Sequence, residues 1–114
     1  MDSILECLIL LHDVDTLIED VTSPGYREQV GLETVEKHLE ELKKRRDEVA
    51  GRLPPEVLRQ YERLRKRYKR GIAPVIGGTC MNCFSELPIA MVTRPEKNHQ
   101  VEKCPSCGIF IYWG

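Results

Sequence analysis

Two Cys-x-x-Cys pairs, Cys80-Met81-Asn82-Cys83 and Cys104-Pro105-Ser106-Cys107, constrain this chain more than any other feature. The twenty residues from Phe84 to Lys103 separate them, which is the spacing of a zinc ribbon. A tight turn with cysteines at i and i+3 aims both sulfurs at one point, and two such knuckles complete a tetrahedral thiolate cage for one structural Zn²⁺. Gly108, just after the second knuckle, permits a left-handed turn that carries its amide toward a thiolate. Phe84 stands at the equivalent place in the first knuckle, where the turn is less ideal.

Other metals, a disulfide framework and a redox role compete with zinc for the same four cysteines. A thioredoxin-like pair expects a βαβ surround, and neither pair is flanked by one. A secreted disulfide scaffold expects a leader, whereas Met1-Asp2-Ser3-Ile4 is not basic, so the expected compartment is reducing and cytoplasmic. Four thiolates leave a metal no open position for water or substrate. With no Ser-His-Asp set and no phosphate-cradling glycine loop, the expectation is a protein that is not an enzyme.

The 114 residues, 41% of them apolar, hold one domain or two very small ones, and a metal supplies stability that so small a core lacks. The net charge of -1 hides a segregation. Met1 to Gly51 carries thirteen acids and six bases, or -7; Arg52 to Arg70 carries two acids and eight bases, or +6; the remainder balances at three of each. Such asymmetry points to a polar partner for the basic segment or to an electrostatic fit between helices. No apolar run approaches the roughly eighteen residues of a membrane span.

Ser3-Ile4-Leu5-Glu6 has the form of a capping box with Ser3 as N-cap, so a helix is expected from there. Ile4, Leu8, Leu11, Ile18 and Val21 form one apolar stripe, widened by Leu5, Ile9, Leu10, Val14 and Leu17 beyond a two-helix seam. That surplus predicts a further partner for the first helix, and a homodimer through it is the expectation. Cys7 reads as a small core residue and His12 as a flank residue. Thr22-Ser23-Pro24-Gly25 reads as a hairpin turn. A second helix follows, with Leu32, Val35, Leu39, Leu42, Arg46, Val49 and Leu53 at coiled-coil spacing, interrupted only by Arg46. Lys43-Lys44-Arg45-Arg46 reads as a mostly solvated cluster.

Leu53-Pro54-Pro55-Glu56 breaks this helix, and a third begins at Pro55. Val57, Leu58, Tyr61, Leu64 and Tyr68 form its apolar face. Arg63, Arg65, Lys66, Arg67, Lys69 and Arg70 make its end the most basic surface of the chain. Two readings stand for these six: contact with nucleic acid or another partner, or an internal role against Asp13, Asp15, Glu19 and Asp20 of the first helix. Gly71 reads as the helix stop. Ala73 to Gly78 leads as an extended segment into the first knuckle, Leu87–Val92 and His99–Lys103 read as middle strands around the turn Arg94–Asn98, and Ile109–Trp113 as the last strand. The expected fold is therefore α+β: a helical hairpin or coiled coil with a third helix over residues 1–71, then a small antiparallel zinc ribbon over 72–114.

Gly77-Gly78-Thr79-Cys80-x-x-Cys83, Leu87-Pro88, and Cys104-Pro105-x-x-Cys107-Gly108 before a strand ending Tyr112-Trp113 resemble the FlgZ-like family of bacterial proteins, which join a coiled coil to a four-cysteine zinc ribbon. Leu5-x-x-Leu8-x-x-Leu11-His12-x-x-Asp15-x-x-Ile18 is similar to the start of that family's first long helix, and Pro55-Glu56-Val57-Leu58-x-x-Tyr61-x-x-Leu64 to the end of its second. Members are commonly about twice this length, with a longer hairpin, and usually carry arginine where this chain has Ile109. The resemblance implies a non-enzymatic zinc-ribbon adaptor that contacts a protein of transcription, flagellar assembly or secretion, or RNA, through its hairpin and ribbon. A purely structural homo-oligomeric coiled coil is the further alternative.

Overall fold

The first helix, α1 (Ser3–Val21), is capped one residue earlier than the capping-box reading places it. Asp2 is extended, and its Oδ1 accepts from the amides of Ile4 at 2.9 Å and Leu5 at 3.0 Å. A carboxylate does this better than the Ser3 hydroxyl, because its charge also meets the positive end of the helix dipole. The computed structural model describes every residue from Met1 to Gly114, and the molecule measures 51 × 27 × 21 Å.

The expected plain turn after α1 contains a helix of its own. Pro24, pre-set for the first helical position, starts α2 (Pro24–Val30) rather than only ending α1. Gly31, at φ 85°, separates it from α3 (Leu32–Ala50). α3 returns along α1: Val49 and Ala50, with Leu53 just beyond them, share a core with Leu5, Leu8 and Leu11. Of the expected seam, Val35, Val49 and Leu53 are buried, Leu39 and Leu42 half-buried, and Leu32 exposed.

Pro54 and Pro55 redirect the chain into α4 (Pro55–Tyr68), whose Tyr61 is fully buried in that same core. The helix stops at Lys69 in a left-handed conformation (φ 64°), so Gly71 is not its terminator. Gly71 serves a close approach instead: a Cβ there would lie 2.3 Å from Tyr61 Cδ2.

The C-terminal sheet has four strands in the order β2-β1-β4-β3: β1 (Ile72–Ile76), β2 (Thr79–Cys80), β3 (Glu102–Lys103) and β4 (Phe110–Trp113). It is mixed, which corrects the expected all-antiparallel ribbon. β1 pairs antiparallel with β2 but parallel with β4, with Ile72 opposite Phe110 and Val75 opposite Trp113. Parallel neighbours need a long crossover, and residues 77–109 supply it, carrying both knuckles. The expected strand at Leu87–Val92 is instead a short helix, α5 (Ile89–Val92), entered through Pro88, which has no amide to give a ladder.

Alternation along the strands connects the two halves of the fold. Ile72 and Phe110 point into the helical core, whereas Ala73, Val75, Ile109 and Ile111 join Cys80, Leu87 and Cys104 in a second cluster. Leu64 of α4 packs against both. The fold is α+β, as its residue patterns predict.

Candidate metal centre and the adjoining basic groove

β2 delivers Cys80 and the turn after it delivers Cys83; the turn after β3 holds Cys104 and Cys107 just before β4. Each knuckle closes through the same backbone bond. The Phe84 amide donates to the Cys80 carbonyl at 2.8 Å, and the Gly108 amide to the Cys104 carbonyl at 2.8 Å. Both residues have positive φ, 60° for Phe84 and 78° for Gly108. Phe84 thus adopts a conformation unfavourable for a side chain, with its ring 71% exposed. The Gly108 amide, expected from the sequence to approach a thiolate, is spent on the Cys104 carbonyl instead, and against the larger effect of burial it is the Ile109 backbone that acts to lower the Cys107 pKa.

The four Sγ atoms lie within 4.8 Å of one another. Cys80 and Cys107 are 4.0 Å apart and Cys83 and Cys104 3.7 Å. A tetrahedron with Zn–S bonds of about 2.3 Å has edges of about 3.8 Å, so the donor set fits a tetrahedral ion. The same separations are too long for disulfides, whose sulfurs lie about 2.05 Å apart. All five cysteines of the chain are free, and Cys7 lies away from the cluster, half-buried against the helical core.

Burial and hydrogen-bond donors set Cys83 apart from Cys80 and Cys107. Burial raises Cys80 to about 12 and also raises Cys107, whereas hydrogen bonds from the Ser85 amide and hydroxyl lower Cys83 to about 6. Cys83 is therefore a readier thiolate than Cys80 or Cys107, from which a metal must displace protons. Outer partners fix the second knuckle: Asn82 Nδ2 approaches Cys107 Sγ at 3.5 Å, and the Tyr68 hydroxyl of α4 donates to the Cys107 carbonyl at 3.0 Å.

The basic end of α4 divides in two. Arg65 turns inward, 3.4 Å from Asp15, 3.5 Å from Glu62 and 3.9 Å from Glu19. Arg70 is half-buried and donates from Nε to the Ile72 carbonyl at 2.9 Å. Arg63, Lys66, Arg67 and Lys69 remain exposed. Arg63 and Arg67 meet Lys103 of β3 in a groove of about 220 Å³ that also touches Gln60, Cys107 and Gly108. The internal reading therefore holds for Arg65 with Asp15 and Glu19, while Asp13 and Asp20 form no ion pair.

The residues that sequence reasoning underrated are Asp15 and Arg46. Asp15, 4% exposed, accepts from Arg46 Nε at 2.6 Å and from the Tyr61 hydroxyl at 2.7 Å. Arg46 also pairs with Glu62 and is half-buried, whereas Lys43, Lys44 and Arg45 of the same basic cluster are exposed. A signal was present. Asp15 falls among Leu11, Val14 and Ile18, and Arg46 interrupts the opposite apolar seam, so two opposite charges break facing stripes.

No protein-family model and no curated protein matches the chain. It is similar to the solved structure of the HP0958 protein from Helicobacter pylori, at 21% identity and a TM-score of 0.65 over 80% of this chain and 38% of that one. It is also similar to CT398 from Chlamydia trachomatis, at 23% identity and a TM-score of 0.61 over 84% of this chain and 42% of that one. A structure from Mycobacterium smegmatis matches with a TM-score of 0.55 at 23% identity, over 71% of this chain and 35% of that one. The chain spans about two fifths of the length of these proteins, and at such identities the likeness is one of fold.

Proposed function

We propose that this protein is a non-enzymatic binding module in which one structural Zn²⁺ on Cys80, Cys83, Cys104 and Cys107 fixes the ribbon, and the ribbon and helices together present a surface to a protein partner. The observation that carries this reading is the convergence of four free sulfurs within 4.8 Å. Zinc would neutralise part of the thiolate charge and lock both knuckles in place; it would leave no coordination site for substrate. The FlgZ-like resemblance supports a partner from transcription, flagellar assembly or secretion, and a cytoplasmic setting. Elemental analysis of reduced protein, followed by capture of candidate partners with and without a chelator, tests the reading. Folded protein without metal, or partner binding indifferent to metal removal, overturns it.

The groove formed by Arg63, Arg67 and Lys103 favours a second reading, contact with nucleic acid. With Arg65 and Arg70 turned inward, about three bases could face one backbone, so affinity for single-stranded RNA should fall with salt at a log-log slope of roughly two. Replacing Arg63 and Arg67 by glutamine should flatten that slope. No binding at low salt would return the groove to a structural role beside the thiolates.

A further inference from the structure

α1 carries more apolar surface than α3 covers, and α4 and the sheet take most of the remainder: Leu5, Leu8 and Leu11 are fully buried beneath Tyr61, Ile72 and Phe110. What stays open is a groove of about 390 Å³ between α1 and α3. Val14 and Val49 form its buried floor. One wall is Leu10, Asp13 and Leu17 of α1, and the other is Arg45, Glu48 and Arg52, along and just beyond α3. Leu10 and Leu17 are 39% and 48% exposed, one heptad apart, so they form a two-point apolar ridge.

The charges of this groove are the informative part. Asp13, Arg45, Glu48 and Arg52 are all exposed, and none forms an ion pair within the chain, although both signs line one groove. Each wall repeats the same spacing of three and four: an acid between two leucines on α1, an acid between two arginines opposite. A two-fold interface requires a patch that complements itself, with equal provision of acid, base and apolar ridge. A foreign partner would have to bring the complementary pattern of acid, base and leucine on its own face, whereas a second copy of this chain already carries it. We infer that the α1–α3 groove is the contact surface for a second copy of this chain, α1 of each copy lying along α3 of the other so that Leu10 and Leu17 enter the opposite groove while Asp13 meets Arg45 and Arg52 of the other copy. The assembled helices form a four-helix bundle with the ribbons at its periphery, so the dimer leaves the cysteine cluster uncovered.

Sedimentation of the full, metal-loaded chain across a concentration series tests this. The expected mass is that of a dimer, and Leu10→Glu with Leu17→Glu should give a monomer with unchanged helix content. Two charge-reversed proteins provide the decisive arm. Asp13→Arg alone, and Arg45→Glu with Arg52→Glu, should each weaken self-association more than about tenfold by like-charge repulsion. Mixed, they should associate with each other, because each restores the opposite sign to its partner. The substituted residues are exposed, so folding should survive and circular dichroism can confirm it. A monomer at every concentration, or a dimer that ignores the charge reversals, overturns the proposal whether or not zinc is found.

Discussion

The Tyr61 hydroxyl donates to Asp15 Oδ2 across 2.7 Å, joining α4 to α1 through two residues 46 positions apart in the chain. Arg46 of α3 occupies the other oxygen of the same carboxylate at 2.6 Å, so one buried acid fastens three helices. Burial and this bond hold the Tyr61 phenol well above its ordinary pKa. Such a network sets the register of the helices more than it adds net stability, because desolvation of the ions offsets much of their attraction.

Tyr61→Phe should keep the ring packing and lose only the hydroxyl bond, lowering stability by about 2 kcal/mol. Asp15→Ala should cost more, about 3 kcal/mol, because it leaves Arg46 and Arg65 facing each other without the acid between them. Urea denaturation of both variants checks the order; equal or negligible losses would show that the network is slack.

Gly71→Ala places a methyl group 2.3 Å from Cδ2 and 2.5 Å from Cε2 of a ring with no room to retreat. Overpacking of that kind costs about 1–3 kcal/mol. Gly25→Ala is the control, since nothing lies within 4 Å of its Cβ and alanine is the better helix former; its Tm should rise slightly.

Reduced protein should carry about one zinc per chain, and Cys104→Ser should abolish that stoichiometry, while Cys7→Ser should preserve it. Chelation should alter the emission of Trp113, whose indole donates to Glu102 at 2.8 Å in the sheet, yet leave helical dichroism from α1, α3 and α4, whose shared core draws only Ile72 and Phe110 from the sheet. Full metal content in the Cys104→Ser protein would refute the four-thiolate site.

His12 is half-buried, and burial and then Arg70 lower its pKa below 6.5, outweighing Asp13, Asp15 and Glu19, which act to raise it. The fold therefore prefers neutral imidazole. Its contribution to stability is present above pH of about 6.5 and is lost as pH falls through the lower folded value. An NMR titration should place the His12 midpoint below 6.5, and His12→Gln should lose less stability than the parent protein between pH 7 and 5. A midpoint above 6.5 would mean that the acids dominate.

The cysteine cluster was the most legible part of the molecule, because ligand geometry at a knuckle is a property of four consecutive residues. Cys-x-x-Cys twice, with a residue able to turn left-handed after the second pair, determines where sulfurs point with little help from the rest of the chain. The same holds for the breaks at Pro54-Pro55 and the apolar strand ending at Trp113, where backbone chemistry is local. Helical stripes were legible too, but only as an amount of apolar surface. Which neighbour covers that surface depends on where the chain turns next, and tertiary structure decided that α4 and the sheet lie on Leu5, Leu8 and Leu11, leaving Leu10 and Leu17 open. It also decided that β1 lies parallel to β4, since a pairing across thirty-three intervening residues has no local signature. Above all, it decided which charges matter. A sequence counts Asp13 and Asp15 alike, or Arg45 and Arg46; two residues of rotation in the first pair, about 200° around a helix, and one in the second, about 100°, send the first of each pair to water and the second into a buried network, where the low dielectric makes a single partner worth far more.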